Sequence, residues 1–547
     1  MRKFLVSLLV ALTIMAALSA LPGEVIPFGA SFYDEADMLF ILNGQTIPSA
    51  SRPWTIAEAE NELAKIDESS LDGYTRNLYE KLLAYVRRDY KASLSLNVSL
   101  SPEVYAHTNQ DFNTDDYWVY NYERRKPIGI LSLDAAVGGY YANTELSYGL
   151  GRATNSDKTK YYTALDSFPV DMTTRKYVVS SNAYSPFFRF NYPKSGEVDV
   201  ITPTNAMLTY AWENGSIGYY KSKKEWGKTS IGNYIYDSHI SAYNFISAKF
   251  FNKKFSFDYT VMFPYSYLGG SAKAYSIEYQ RLFLSHRLQI QILKNLSIAM
   301  SENLMYWLKD GFEPIFVNPA LFFHNNIQDN LFNALAHVEL EYVPVKGLRI
   351  YSQIGVDQGS MPFVEKIGTE DLSAGFTIGT EYLFKLYDGI AGVNLEGAMV
   401  TPSMYRRSTN PDFIISDPSS IDMPGDYYTL PFITAMGFPY GGDTLAVRAE
   451  CNYRTSRFSG SLSTTLLWKG EQTIFKKKGG ISGLELTGNI TFGTAVEVSA
   501  EYILDLIKNY PISLKASIAG LYNQSRGFDL QVSVGASISA AGRLLEK

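Results

Sequence analysis

From residue 93 onward the chain is written in a two-residue period. In Ser93-Leu94-Ser95-Leu96-Asn97-Val98-Ser99-Leu100 every second residue is apolar, the signature of a strand with one wet face and one apolar face. The period returns at 129–141, 240–250, 255–263, 286–293 and 335–342. It continues at 347–356, 375–384, 444–453, 459–468, 483–491 and 528–540. Several neighbouring segments are joined by a few turn-forming residues, as at Asn252-Lys253-Lys254, Lys294-Asn295 and Pro344-Val345-Lys346-Gly347. Such connections suit antiparallel hairpins. Others are long and polar, at 154–174, 309–331, 402–428 and 469–480. Tight turns alternating with long loops predict an all-β, transmembrane, antiparallel barrel, with an even count of about 18 strands.

Before that region the period differs. Pro53 and Thr55-x-x-Glu58 open a segment with Ile56, Ala59, Leu63 and Ile66 at helical spacing, the pattern of a capped helix start. A second stripe holds Leu71, Tyr74, Leu78, Leu82 and Tyr85, with Arg76, Glu80 and Arg87 opposite. Residues 51–91 therefore predict a small helical hairpin, either a stabilising cap or a docking or plugging element. Further upstream, Arg2 and Lys3 precede an apolar run from Phe4 to Leu18, and Ala16, Ala17, Ser19 and Ala20 supply small residues behind it. This is the pattern of a cleaved secretory signal peptide. The expected organisation is a signal peptide at 1–20, an N-terminal periplasmic helical segment at 21–91, and an outer-membrane barrel at 92–547.

Composition narrows the class. The 547 residues include 41 Tyr, 31 Phe and 41 Gly, yet mean hydropathy is only −0.10, so apolar and polar residues are finely interleaved. After the signal no apolar run approaches the length of a spanning helix. Aromatic pairs stand near expected strand ends, at Tyr117-Trp118, Tyr306-Trp307 and Phe322-Phe323, where a membrane interface favours them. The net charge of −6 gives no electrostatic reason to expect nucleic acid as a partner. A lone cysteine, Cys451, excludes an intramolecular disulfide framework and is read as a small apolar residue. The last strand runs out through Ala540-Ala541-Gly542 to Glu546-Lys547, without the terminal aromatic residue that many such barrels carry.

No catalytic set emerges. The five histidines, His107, His239, His286, His324 and His337, form no HExxH motif, there is no GxSxG elbow, and one cysteine cannot build a thiolate metal cluster. The expectation is a non-enzyme without cofactor or metal. His324-Asn325-Asn326 with Asp329-Asn330 lies in a polar loop, and Arg287 is expected to meet a carboxylate inside the lumen. The 402–428 segment carries Tyr405, Arg406, Arg407, Asp412 and Asp426. Aromatic faces stack on sugar rings, and Arg and carboxylates pair with hydroxyls, so these five are candidate glycan-binding residues. A solvated outer loop has a similar composition.

Several separated segments together resemble the capsule assembly Wzi family of outer-membrane proteins. They are Pro53-Trp54, Gly218-Tyr219-Tyr220 leading to Glu225-Trp226-Gly227, His286-Arg287-Leu288, and Asn295-Leu296-Ser297-Ile298 running into Ser301-Glu302-Asn303. Asn318-Pro319, Asp329-Asn330, Gln353-Ile354-Gly355-Val356-Asp357 and Gly437-Phe438-Pro439-Tyr440-Gly441-Gly442-Asp443 extend the likeness over most of the mature chain. The resemblance implies a helix-capped barrel in the outer membrane, with the lipid bilayer and surface polysaccharide as partners and a lectin-like role in capsule assembly. A porin-like channel for small solutes is the alternative, since a barrel of this width can hold water unless it is plugged. A secreted soluble β-protein is the third reading.

Overall fold

Strands with one apolar face close on themselves here. The computed structural model describes residues 23–87, 92–109, 128–148, 205–240, 242–264, 280–308, 311–320, 332–358, 372–407, 410–411, 413–416, 433–472, 484–507, 510–524 and 527–546. Short ladder pieces at 162–163, 174–175, 188–190 and 198–200 are also described. The expected signal segment at 1–20 lies outside these residues.

The barrel begins with β1, Ala92–Leu100, which continues past Ser101-Pro102 as Glu103–His107, both parts pairing with the final strand. It goes on through β2 (Gly129–Val137), β3 (Tyr140–Tyr148), β4 (Asn205–Trp212), β5 (Gly215–Ser222), β6 (Tyr243–Phe251) and β7 (Phe255–Met262). Next come β8 (Arg281–Leu293), β9 (Leu296–Trp307), β10 (Phe332–Val345), β11 (Leu348–Gln358), β12 (Ser373–Leu386) and β13 (Gly389–Val400). The circuit ends with β14 (Thr444–Arg454), β15 (Phe458–Lys469), β16 (Thr491–Ile507), β17 (Tyr510–Asn523) and β18 (Gly527–Glu546). Every neighbour is antiparallel and β18 returns to β1, giving a closed barrel of 18 strands. No described helix is long and apolar enough to cross a membrane.

Connections sort by parity. Even-numbered strands lead into the next through two or three residues, as at 213–214, 294–295 and 387–388. Odd-numbered strands lead into long loops, except for the short link between β17 and β18. One rim is therefore all tight turns and the other carries almost all the loop mass.

Two sequence-predicted strands are corrected. The 129–141 segment is two strands, because Gly138 takes φ +56 and turns the chain where a side chain resists that conformation. Within 483–491, residues 484–490 form a loop: Gly488 sits at φ +62, and the backbone N–H of Thr487 is drawn off to Asp443 at 2.9 Å.

Side chains follow the pleat. Val98, Leu131, Ile217, Ile246, Leu395, Val496 and Ile518 are exposed on the outer wall, while Ser, Thr, Asn and charged residues turn inward. That is the inverse of a water-soluble barrel and the pattern a bilayer requires. Tyr342, Tyr382, Tyr502 and Tyr510 stand exposed near the tight-turn rim, and Tyr522 and Phe528 near the other, as aromatic girdles do. Tyr306 is not among them. It is fully buried, with its ring 4.6 Å from Phe316 of the β9–β10 loop.

At the tight-turn rim sit three helices, α1 (Ser31–Leu42), α2 (Ile56–Leu63) and α3 (Gly73–Val86). The last two match the predicted hairpin. Helix α1 has no sequence signal of its own. Its cap residue Ala30 offers no side-chain bond, and Phe32, Tyr33, Ala36, Leu39, Phe40 and Ile41 are buried around it, which erases helical amphipathicity. The predicted capping box is half made. Thr55 accepts from Glu58 N at 3.3 Å, but the Glu58 carboxylate turns into the barrel, and a complete box forms at Asp72 and Thr75 instead.

Candidate functional site

A barrel of 18 strands is wide enough for an aqueous passage. Three segments enter this one. The first is Gly23–Glu58 from the tight-turn side. The second is the β5–β6 loop, Lys223–Ile240, which folds inward from the opposite rim. The third is the described part of the β13–β14 loop, chiefly Thr401–Tyr405, Phe413 and Met436–Asp443.

The first two meet as a miniature ladder, with Ser51 opposite Trp226 and Arg52 opposite Glu225. Gly227 N donates to Ala50 O at 3.2 Å. A Cβ on Gly227 would stand 2.1 Å from Gln353 Nε2, and φ is +93, so glycine is demanded twice over. Around the ladder lies a ring of buried charge from the wall. Asp258 of β7 accepts from Lys224 Nζ at 2.8 Å, Trp226 Nε1 at 3.2 Å, Ser247 Oγ at 2.8 Å and Thr260 Oγ1 at 2.9 Å, and also from Ser51 Oγ. Lys249 of β6, in register with Asp258, donates to Ser51 O at 2.8 Å, Pro53 O at 2.9 Å and Glu58 Oε2 at 2.9 Å. Arg52 Nη2 reaches both carboxylate oxygens of Asp37 at 2.6 Å. Lys228 Nζ holds Asp34 at 2.8 Å, which keeps the Asp34 carboxyl well below the ordinary range.

Desolvation sets the titration of the latch. Burial pushes the Glu58 carboxyl up to about 7 despite Lys249, and pushes Lys224 down to about 8 despite Asp258. The docked Glu58 thus keeps a proton that an undocked one releases, so docking is strengthened as pH falls from about 7 to 4.5. Limited proteolysis of the N-terminal segment is expected to slow across that window in the wild type, and to keep only a weakened dependence in Glu58→Gln, because burial also raises Glu225 and Glu341 at the same interface.

The inner loop packs against the third segment. Tyr234 stacks on Phe438, with rings 5.6 Å apart at 22°, and shares a 2.7 Å hydrogen bond with Thr377 Oγ1. Ser230 N and Ile231 N donate to Glu396 at 2.7 and 2.9 Å. Near the long-loop rim Asp443, at φ +58, accepts from Gln472 N at 2.8 Å and Thr487 N at 2.9 Å. It thereby ties the β13–β14 loop to the β15–β16 loop.

The sequence candidates divide. Tyr405 offers no face to a sugar. It is fully buried, its hydroxyl donating to Tyr234 O at 3.0 Å and accepting from Phe438 N at 2.8 Å. Composition alone could not separate this tyrosine from a presented one. Arg406 and Arg407 form a two-residue ladder with Asn410 and Pro411. Asp412 and Asp426 lie outside the described residues, as do His324, Asp329 and Asn330. Trp226, Gly227 and Arg287 are lumenal. Arg287 meets its expected carboxylate, donating to Glu339 at 2.8 and 2.9 Å and to Gln289 at 3.0 Å. His286 and Glu302 face the outer wall instead, 3.4 Å apart. Tyr259, in register with His286, donates to Val317 O at 2.7 Å. Asn318 and Pro319 are exposed on the same loop. Asp357 is buried and accepts from Asn333 Nδ2 at 3.1 Å. Sequence reading missed Lys224, Lys249, Asp258 and Glu396. Their only signal is a charge on the wet face of an alternating strand or beside it. No group of three or more metal-ligating side chains gathers among the described residues.

The fold and its filling define a class: an 18-stranded transmembrane β-barrel with an inserted, hydrogen-bonded plug. Within that class the chain is similar to Wzi of Escherichia coli, an outer-membrane protein involved in group 1 capsule assembly and described as a carbohydrate-binding β-barrel. The TM-score is 0.57 at 11% identity, over 94% of this chain and 99% of that one. Pseudomonas aeruginosa OccK1 (OpdK) and OpdQ align with TM-scores of 0.39 and 0.38, at 7% and 9% identity, over 82% and 84% of this chain and 99% of each. No family model and no curated protein matches the sequence.

Proposed function

We propose that this protein is a non-enzymatic barrel of the bacterial outer membrane that binds or organises capsular or other surface polysaccharide at the cell exterior. The observation that carries the reading is the plug: covalently part of the chain, buried, and cross-linked to the wall by paired charges, it is poorly suited to passing solutes. The likeness in fold to a barrel that binds carbohydrate supports the same assignment. In this orientation the tight turns and helices face the periplasm, and the long loops, free to grow, face outward. Export by a cleaved signal peptide completes the reading.

Purified protein reconstituted in planar bilayers is expected to be electrically silent, and to retain glycan isolated from the surface of its own cells. Steady open current without glycan retention would instead support the porin-like channel.

A further inference from the structure

The plug does not fill the lumen evenly. Lumenal charges from β6 to β11 are sealed: the side chains of Lys249, Asp258, Arg287 and Arg349 are 5%, 1%, 1% and 4% exposed. Across the barrel the lumenal charges stay wet. Arg448 and Glu450 of β14 are 20% and 27% exposed, and Lys515 and Glu501 of β17 and β16 are 31% and 33% exposed, although each pair is joined at 3.0 Å. Between them runs a hydroxyl surface, with Ser461 and Ser499 at 2.8 Å and Ser99 and Ser539 at 2.9 Å. Parity fixes these positions as lumenal, because their chain neighbours Leu462, Val498 and Val98 are the exposed apolar residues of the outer wall.

The helices explain the asymmetry. Helix α1 packs against β11 and β12 and reaches Arg454 at the end of β14 through Asp34 at 3.8 Å, and α2 packs against β5, so the cap leans on one side of the tight-turn rim. Towards the long-loop rim the wet side ends. Ala446, Leu467, Ala519 and Leu521, from β14, β15 and β17, are buried in one apolar cluster with Phe413, Met436 and Phe438 of the β13–β14 loop.

We propose that β14–β18 and β1 enclose a blind aqueous chamber, entered from the tight-turn end and closed towards the long loops by Phe413, Met436 and Phe438 of the β13–β14 loop. Its hydroxyls and charged pairs suit small hydrated solutes. Among the described residues, lumenal Glu103, Glu450, Glu497 and Glu501, with Asp134 of the adjoining β2, outnumber Arg448, Arg454 and Lys515, so cations enter in preference to anions. The chamber is separate from glycan attachment at the outer loops. It allows the barrel to be electrically silent while solvent reaches deep inside it.

Cysteine accessibility tests this. Cys451 lies on the outer wall, so Cys451→Ser gives a background in which Ser499→Cys, Ser461→Cys and, from the plugged side, Ser285→Cys are compared in folded barrels. A cationic thiol reagent is expected to modify Ser499→Cys and Ser461→Cys at least about tenfold faster than Ser285→Cys, and faster than an anionic reagent of the same size. Supplied only from the tight-turn side of reconstituted vesicles, it is expected to react as fully as when supplied from both. Equal slow modification at all three positions would overturn the chamber, and modification only from the long-loop side would overturn its direction. Neither result bears on glycan retention.

Discussion

Replacing Asp258 by Ala is expected to weaken seating of the plug, the β5–β6 loop through Lys224 and the N-terminal segment through Ser51, by roughly 3–5 kcal/mol, the usual cost of removing one partner from a buried charge pair. The change strips the acceptor from Lys224 Nζ, Trp226 Nε1 and Ser51 Oγ together. It also leaves two ammonium groups, Lys224 and Lys249, buried without the carboxylate between them. The strands themselves keep their ladders, so the lesion falls on the plug. Chymotrypsin, with Phe28, Phe32, Tyr33, Phe40 and Trp54 to cleave after, is expected to cut within 23–58 of the folded variant while the barrel still resists unfolding in SDS at room temperature. Intermittent current should accompany the cleavage. Asp258→Asn keeps an acceptor but no charge and should fall between the two. Unchanged protease resistance in Asp258→Ala would show that the ion cluster does not hold the plug.

The second large effect is expected at Tyr405. Truncating a fully buried aromatic residue to Ala typically costs about 3–5 kcal/mol, and here it also leaves Tyr234 O and Phe438 N without their bonds to its hydroxyl. Tyr405→Ala should loosen the packing of Phe438 on Tyr234 and lower the thermal stability of the loop half of the plug. Tyr405→Phe, which loses only the hydrogen bonds, should cost about 1–3 kcal/mol. A residue that merely stacked on sugar would show the reverse profile, with stability unchanged and glycan affinity reduced.

The contrast at Tyr405 shows where sequence reading stops. The barrel was legible because its information is local: a two-residue period persists through strand after strand, and turn length alternates with strand parity. The hairpin α2–α3 was legible for the same reason, each helix keeping one apolar stripe. The plug is different. Lys249 and Asp258 are single charges on the wet faces of otherwise ordinary strands, and only closure of the barrel places them against Ser51 and Lys224. The β5–β6 loop carries Trp226, Tyr234, Ile235 and Tyr236, but its apolar residues have no period because they pack on several partners at once. His286 and Arg287 are adjacent in sequence and serve opposite faces of the wall, which follows from the pleat once the strand is known to begin at Arg281. Helix α1, exposed only at Ser31 and Asp34, left no polar stripe to read.

Deleting the gene and measuring how much surface polysaccharide stays on the cell tests the central claim most directly. The account predicts that polymer is still made but is shed into the medium, with retention restored by the wild-type protein. A deletion strain whose cells keep their full surface polysaccharide would contradict it.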